Sequence, residues 1–169
     1  MDAFQKAVHK ASSSSFRLWM LNKALHWKIP FNKPHGLVIT HITPDGFEVN
    51  IPYKRRNYNH IKGIHACCLA TASEYVCGLA LLRKLGSDKY RLIMERMEVR
   101  YKYQAKSAVS ARFELSDQFL AENVIKPLIE NDVIFLEFTT YIKDEKGLII
   151  SEADTRWQIK PWDKVRTKL

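Results

Sequence analysis

The sequence predicts an α+β domain: one long, continuously apolar helix lying against an antiparallel sheet of six strands, preceded by an N-terminal helix. Three observations predict it. Residues 59 to 86 are almost wholly apolar over a helix-like length and hold a single carboxylate, Glu74. The segments on either side alternate apolar and polar residues with the two-residue period of half-buried strands. Phe16, Leu18, Trp19, Leu21, Leu25 and Trp27 recur at roughly helical spacing before Pro30. At 169 residues, 46% of them hydrophobic, the chain suits one domain with a sizeable core. We divide it into a helical lead-in over 1–32, a core over 33–162 and a basic tail over 163–169.

The N-terminal helix is expected to dock on the rim of the sheet, in preference to lying on a membrane surface. Ser12 to Ser15 read as a flexible lead-in to it, and Met1 to Met20 contain no run long enough for a signal sequence. Leu37 to Ile42 is rich in β-branched residues, Pro44-Asp45-Gly46 signals a turn, and Phe47, Val49, Ile51 and Tyr53 alternate with polar neighbours, which makes a hairpin. Pro52 marks an end or an edge of the second strand because proline cannot donate to a ladder.

Gly86-Ser87-Asp88 stops the long helix. Its three cysteines, Cys67, Cys68 and Cys77, have neither disulfide nor zinc spacing and read as reduced core residues of a cytoplasmic protein. Beyond it, Met97, Val99, Tyr101 and Tyr103 share a face opposite Arg96, Glu98, Arg100 and Lys102, so these tyrosines are assigned to the core. Gln104 to Ser107 reads as a tight hairpin turn into Val109 to Leu115. Residues 116 to 132 begin with a Ser-Asp cap and suggest a helix interrupted at Pro127. The strands around Leu136 to Ile142 and Ala153 to Ile159 are joined by a loop at Lys143 to Gly147.

The net charge of +9 implies an anionic partner, for which nucleic acid, acidic lipid and a phosphorylated cofactor all qualify. Placing Tyr101 and Tyr103 in the core removes the stacking platform that nucleic acid would need. His60 and His65 lack a third ligand at metal spacing. A Cys68–His65 nucleophile pair is disfavoured because an apolar setting keeps a thiol protonated. Glu74 stands out: a carboxylate on an apolar helix is costly unless it has a partner or a task.

Asn59-His60-Ile61-Lys62-Gly63-Ile64-His65, followed nine residues later by Glu74, resembles the signature of hotdog-fold acyl-CoA thioesterases of the phenylacetate-pathway (PaaI-like) type. In that family an Asn, then His-Gly-Gly, then an Asp or Glu follow one another into the long helix. Met97 to Tyr101 leading to Gln104-Ala105-Lys106 is similar to the family's next strand and its Pro-Ala-Lys/Arg turn, and the N-terminal Phe/Trp helix ending in Pro resembles an uncharacterised branch of the superfamily. The similarity runs from about residue 30 to 160. Where the family has two glycines and a proline, this chain has Ala66, Cys67 and Gln104.

The resemblance implies a hotdog fold acting as a homodimer or a dimer of dimers, with acyl-CoA as substrate and no cofactor beyond the coenzyme A it carries. It implies that the backbone N–H of Ala66 polarises the thioester carbonyl at the helix mouth, with Gly63 and His65 shaping the loop. Glu74 lies nine residues past His65, roughly 13 Å along a helix axis at ~1.5 Å per residue, so it would serve the partner's helix mouth as general base or nucleophile. Asn59 would orient the water or the leaving thiolate. Lys106, with Lys54, Arg55 and Arg56, would meet the phosphates of coenzyme A. The alternative is a catalytically silent hotdog that binds acyl-CoA or lipid.

Overall fold

A computed structural model describes residues 1–166; Thr167 to Leu169, the end of the expected basic tail, lie outside the described residues. The central helix is α3 (Ala66–Leu85), and an antiparallel sheet of six strands packs against it. The strands are β1 (Val38–Ile42), β2 (Gly46–Ile51), β3 (Tyr90–Tyr101), β4 (Val109–Glu114), β5 (Ile134–Asp144) and β6 (Ile149–Pro161). Their order across the sheet is β1-β2-β4-β5-β6-β3, which is the hotdog arrangement. By length and composition α3 is apolar enough to cross a membrane, but here the sheet takes that surface as its core. Val76, Cys77, Leu79, Ala80 and Leu81 are buried against Phe47, Val49, Ala111, Ile142 and Ile159.

The hairpin β1–β2 closes as expected, with the Thr43 side chain accepting from the Gly46 amide at 2.9 Å. Gly46 is required there: a Cβ would sit 1.8 Å from the carbonyl oxygen of Phe113 on the paired strand β4. The second expected hairpin, at Gln104 to Ser107, is not one. Strand β3 pairs with β6 at the sheet edge while β4 pairs with β2 and β5, so the segment between them crosses from one side of the sheet to the other. Distant partners hold that segment, with Lys102 and Tyr103 donating to Ile150 and Ala105 accepting from Ile64.

Tyr101 and Tyr103 are exposed rather than in the core. They stand where α3 has run out: the Tyr101 hydroxyl donates to the carbonyl of Ala66, the first residue of the helix, and beyond it there is no helix to bury against. Their strand's other face is wet as expected, and Arg96, Arg100 and Arg156 pair there with Glu137, Glu152 and Glu95. Cys68 and Cys77 are buried but Cys67 is exposed, because it occupies the open first turn of α3.

Two helices precede the sheet where one was expected. α1 (Ala3–Ala11) starts with a capping box between Asp2 and Gln5, and Asp2 also accepts from the amide and hydroxyl of Ser87. The serine run is a corner, not a flexible lead-in: Ser12 ends α1 and Ser14 caps α2 (Ser15–Lys28). α2 docks on the rim of the sheet as expected. Leu21 and Leu25 are buried, the Asn22 amide exchanges hydrogen bonds with the backbone of Ile39, and His26 Nε2 donates to the carbonyl of Leu37. These contacts close the free edge at β1. The helical stretch after Ser116 is likewise not interrupted at Pro127. It continues through α4 (Asp117–Leu120), a π-helical turn over Ala121–Ile125 and α5 (Lys126–Glu130), the wide turn accommodating the missing proline N–H.

Candidate functional site

The mouth of α3 is assembled from a loop that almost entirely satisfies its own polar groups. Asn57 anchors it: buried, it donates through Nδ2 to the carbonyls of His35 and Pro52, and its own carbonyl accepts from the His65 amide at 2.7 Å. Asn59 then folds the tip. Its Oδ1 accepts from the amides of Ile61 at 3.1 Å and Gly63 at 2.9 Å, and its amide donates back to the Gly63 carbonyl at 2.8 Å. Lys62 takes a left-handed φ of 62°, held by a hydrogen bond from the Tyr53 hydroxyl to its carbonyl.

Gly63 and Gln104 fasten this loop to the segment after β3. The Gln104 side chain donates to the Ile61 carbonyl at 2.9 Å, and a Cβ on Gly63 would lie 2.6 Å from Gln104 Cγ. Ile64 donates to Ala105 at 2.9 Å. With both sides tied, His65 becomes the N-cap of α3. Its Nδ1 accepts from the Cys67 amide at 3.1 Å, and its carbonyl accepts from Cys68 and Leu69. The Cys67, Cys68 and Leu69 amides are thereby satisfied. The Ala66 N–H is the amide of this first turn left without an acceptor among the described residues.

Ala66 lies in the wall of a cavity of about 300 Å³ that Asn59, Ile61, Ile64, Leu69 and Tyr101 line together with Lys102, Tyr103, Gln104 and Ala105. The walls are mainly apolar, with Asn59, Lys102 and Gln104 among them, and the donor sits at the positive end of a 20-residue helix, so the position favours an oxygen carrying partial negative charge. Because Asn59 Oδ1 is committed to its own loop, only its Nδ2 is available to a ligand.

Glu74 is not part of this cavity. It lies eight residues beyond Ala66, about 12 Å farther along the axis at ~1.5 Å per residue. Burial raises its pKa, with no charged or hydrogen-bonding partner among the described residues contributing. The buried Trp157 indole lies nearby: a Cβ on Gly78 would be 3.2 Å from Trp157 Cη2 and 3.6 Å from Glu74 Oε1. Its indole N–H is already donated to Thr155, so it offers the carboxylate nothing. Glu74 ends a partly open stripe of Ala66, Cys67, Ala70 and Thr71 along α3, whereas Ala72, Ser73 and Tyr75 to Leu81 are buried.

The structure therefore brings Asn59, Gly63, His65 and Ala66 together and leaves Glu74 apart. Lys106 is exposed next to Ala105 of the cavity wall. Lys54, Arg55 and Arg56 are exposed on the turn that ends in Asn57, with Arg56 lying over Gly36. Sequence reasoning missed Asn57, Gln104 and Tyr101. The Asn-x-Asn spacing was the available signal for the first. The other two depend on a segment crossing that no local pattern encodes.

The sequence profile of DUF4442, a domain of unknown function, matches residues 17–159. Among curated proteins none matches the chain. Several solved structures are similar. One is a Pseudomonas aeruginosa protein of unknown function described as a probable thioesterase, with TM-score 0.77 and 21% identity over 83% of this chain and 93% of that one. Another is a Haemophilus influenzae thioesterase, with TM-score 0.65 and 15% identity over 85% and 90%. A third is a substituted Pseudomonas aeruginosa thioesterase, with TM-score 0.66 and 12% identity over 85% and 94%. At such identities the likeness is one of fold.

Proposed function

The chain belongs to the DUF4442 family and has a thioesterase-like hotdog fold, and on that premise we propose that it hydrolyses acyl-CoA thioesters by water attack at a site shared between two subunits. The observation that carries the proposal is the unpaired Ala66 amide at the mouth of α3, in the wall of a mainly apolar cavity. A thioester carbonyl oxygen placed there accepts this hydrogen bond, which strengthens as negative charge develops on it. Water adds to the carbonyl carbon and gives its proton to Glu74 of the second subunit. Collapse of the tetrahedral intermediate then breaks the C–S bond, and the proton passes to the departing coenzyme A thiolate. Desolvation of Glu74 suits it to the base role, since it raises the proton affinity of the carboxylate.

Two features support sharing between subunits. Within one chain the base and the amide are too far apart to act on one carbonyl. The sheet edge at β1 is sealed by α2, whereas the outer edge of β3 has no strand beside it among the described residues, and the small-residue stripe on α3 leading to Glu74 is partly open. In this reading Lys106 and the exposed Lys54 to Arg56 turn meet the phosphates of coenzyme A. Ala66 and Cys67 in place of glycines favour a second reading, a silent binder of acyl-CoA, because the Ala66 methyl occupies space beside the donor.

Thiol release from short, medium, long and aromatic acyl-CoAs by the purified protein tests both. Hydrolysis of at least one class, abolished in Glu74→Gln, supports the enzyme; binding without thiol release supports the silent reading and sinks the enzyme.

A further inference from the structure

Helix α2 is apolar on two opposite sides, and the fold uses one of them. Leu18, Leu21 and Leu25 face inward, while Phe16, Trp19, Met20 and Trp27 line the reverse side, about 180° away at 3.6 residues per turn. Those four are 67%, 56%, 52% and 76% exposed. A helix with a second apolar side belongs against another apolar phase, and none of the described residues covers this side.

The chemistry of what covers it is written in the charge around it. Between Asp2 and Asp45 there is no acidic residue, but there are six cations: Lys6, Lys10, Arg17, Lys23, Lys28 and Lys33. Lys23 lies over the Trp19 ring at 5.5 Å and Lys28 over the Trp27 ring at 5.1 Å, which interleaves charge with the aromatic stripe. A groove of about 360 Å³ between α1 and α2 brings Lys10 and Arg17 beside Met20, room for an anionic headgroup at the margin of the stripe. Arg56, lying over Gly36, extends the basic surface toward the loop that builds the α3 mouth.

We propose that the outer side of α2 docks the protein on an anionic lipid surface, with Phe16, Trp19, Met20 and Trp27 entering the interfacial layer and the surrounding lysines and arginines meeting lipid phosphates. Aromatic residues with one wet end and a basic surround match the interface between headgroups and acyl chains. The inference is independent of any catalysis. A protein face would also cover the stripe, but a second copy of this chain would place the same cations against themselves, with no acid in this segment to offset them.

The test is flotation with vesicles of phosphatidylcholine alone and with phosphatidylglycerol added, at low and high salt. The wild-type chain is expected to float with the anionic vesicles and not the neutral ones, and to lose binding as salt rises. The triple variant Phe16→Ser, Trp19→Ser, Trp27→Ser is expected to bind at least about tenfold more weakly with its circular dichroism and oligomeric state unchanged. Should that variant misfold, quenching of tryptophan fluorescence by brominated anionic lipids in a Trp162→Phe background gives the same answer, since Trp157 is buried in the core and Trp162, which is not, has been removed. Equal binding by the variant, no binding by the wild type, no quenching, or an oligomer that loses half its mass when the three aromatics are removed would overturn the assignment.

Discussion

Replacing Ala66 by proline isolates the group on which the proposed chemistry depends. Proline removes a backbone N–H, and in a helix interior it costs ~3 kcal/mol or more because an i→i−4 bond is lost and the ring clashes. At Ala66 neither cost applies. The residue is the first of α3, its amide has no acceptor among the described residues, and the preceding His65 has φ −62° and ψ 138°, the extended conformation a following proline demands. The His65 cap to Cys67 and the Tyr101 bond to the Ala66 carbonyl do not involve the deleted proton. Stability is therefore expected to change by less than about 1 kcal/mol. Loss of one oxyanion donor is expected to lower kcat by roughly 10²–10³-fold, or about 2.7–4 kcal/mol of transition-state stabilisation. Urea unfolding and thiol release from the best acyl-CoA measure the two effects on the same sample. A folded Ala66→Pro protein with wild-type kcat would refute the assignment of this amide, and a loss of several kcal/mol in stability would refute the geometry on which the argument stands.

A shared site predicts complementation: mixing inactive Ala66→Pro with inactive Glu74→Gln and letting subunits exchange should restore about one quarter of wild-type activity, since half of the random dimers are mixed and each has one intact site. No recovery after demonstrated exchange would place both groups within one chain or outside the mechanism. Glu74→Gln should also stabilise the fold at neutral pH. Burial raises the carboxyl's folded pKa, so the wild type keeps full stability only below the unfolded value near ~4.3 and loses some as pH rises through the folded value. Denaturation of both proteins from pH 4 to 8 should show them converging at the acid end, and a wild type that is the more stable at pH 8 would contradict this. Gly63→Ala forces Gln104 aside and breaks its bond to Ile61, at a cost of about 1–2 kcal/mol that should shrink in a Gln104→Ala background; a cycle without coupling would mean the contact is slack. Thiol reagents at neutral pH should modify Cys67 alone in the folded protein, since burial pushes Cys68 up to about 11 and Cys77 up to about 12; stoichiometry above one thiol without unfolding would count against it.

Much of the candidate site could be read locally. Asn59, Gly63 and His65 stand close in sequence, and a loop that caps a helix is built from near neighbours, so their spacing carries the geometry. Glu74 announced itself by being the lone acid on an apolar helix. What escaped was the support. Gln104 reaches the loop only because the chain after β3 leaves the sheet edge, and nothing local marks Asn57 as the residue whose side chain reaches His35 and Pro52. Tyr101 and Tyr103 were assigned to the core by alternation, but alternation says which side a residue faces and not whether the helix extends far enough to cover it.

The amino-acid order by itself determined most of the elements: a two-residue period commits a segment to one wet and one dry face, and an apolar 20-residue helix with a single acid has to be enclosed. Tertiary structure alone decided that β3 joins β6 at the edge, that Glu74 lies beside the buried Trp157 indole, and that α2 keeps a second apolar side uncovered. Backbone hydrogen bonds between strands are nearly blind to side-chain identity. Side-chain pattern therefore sets which surface must be covered, and only packing selects what covers it.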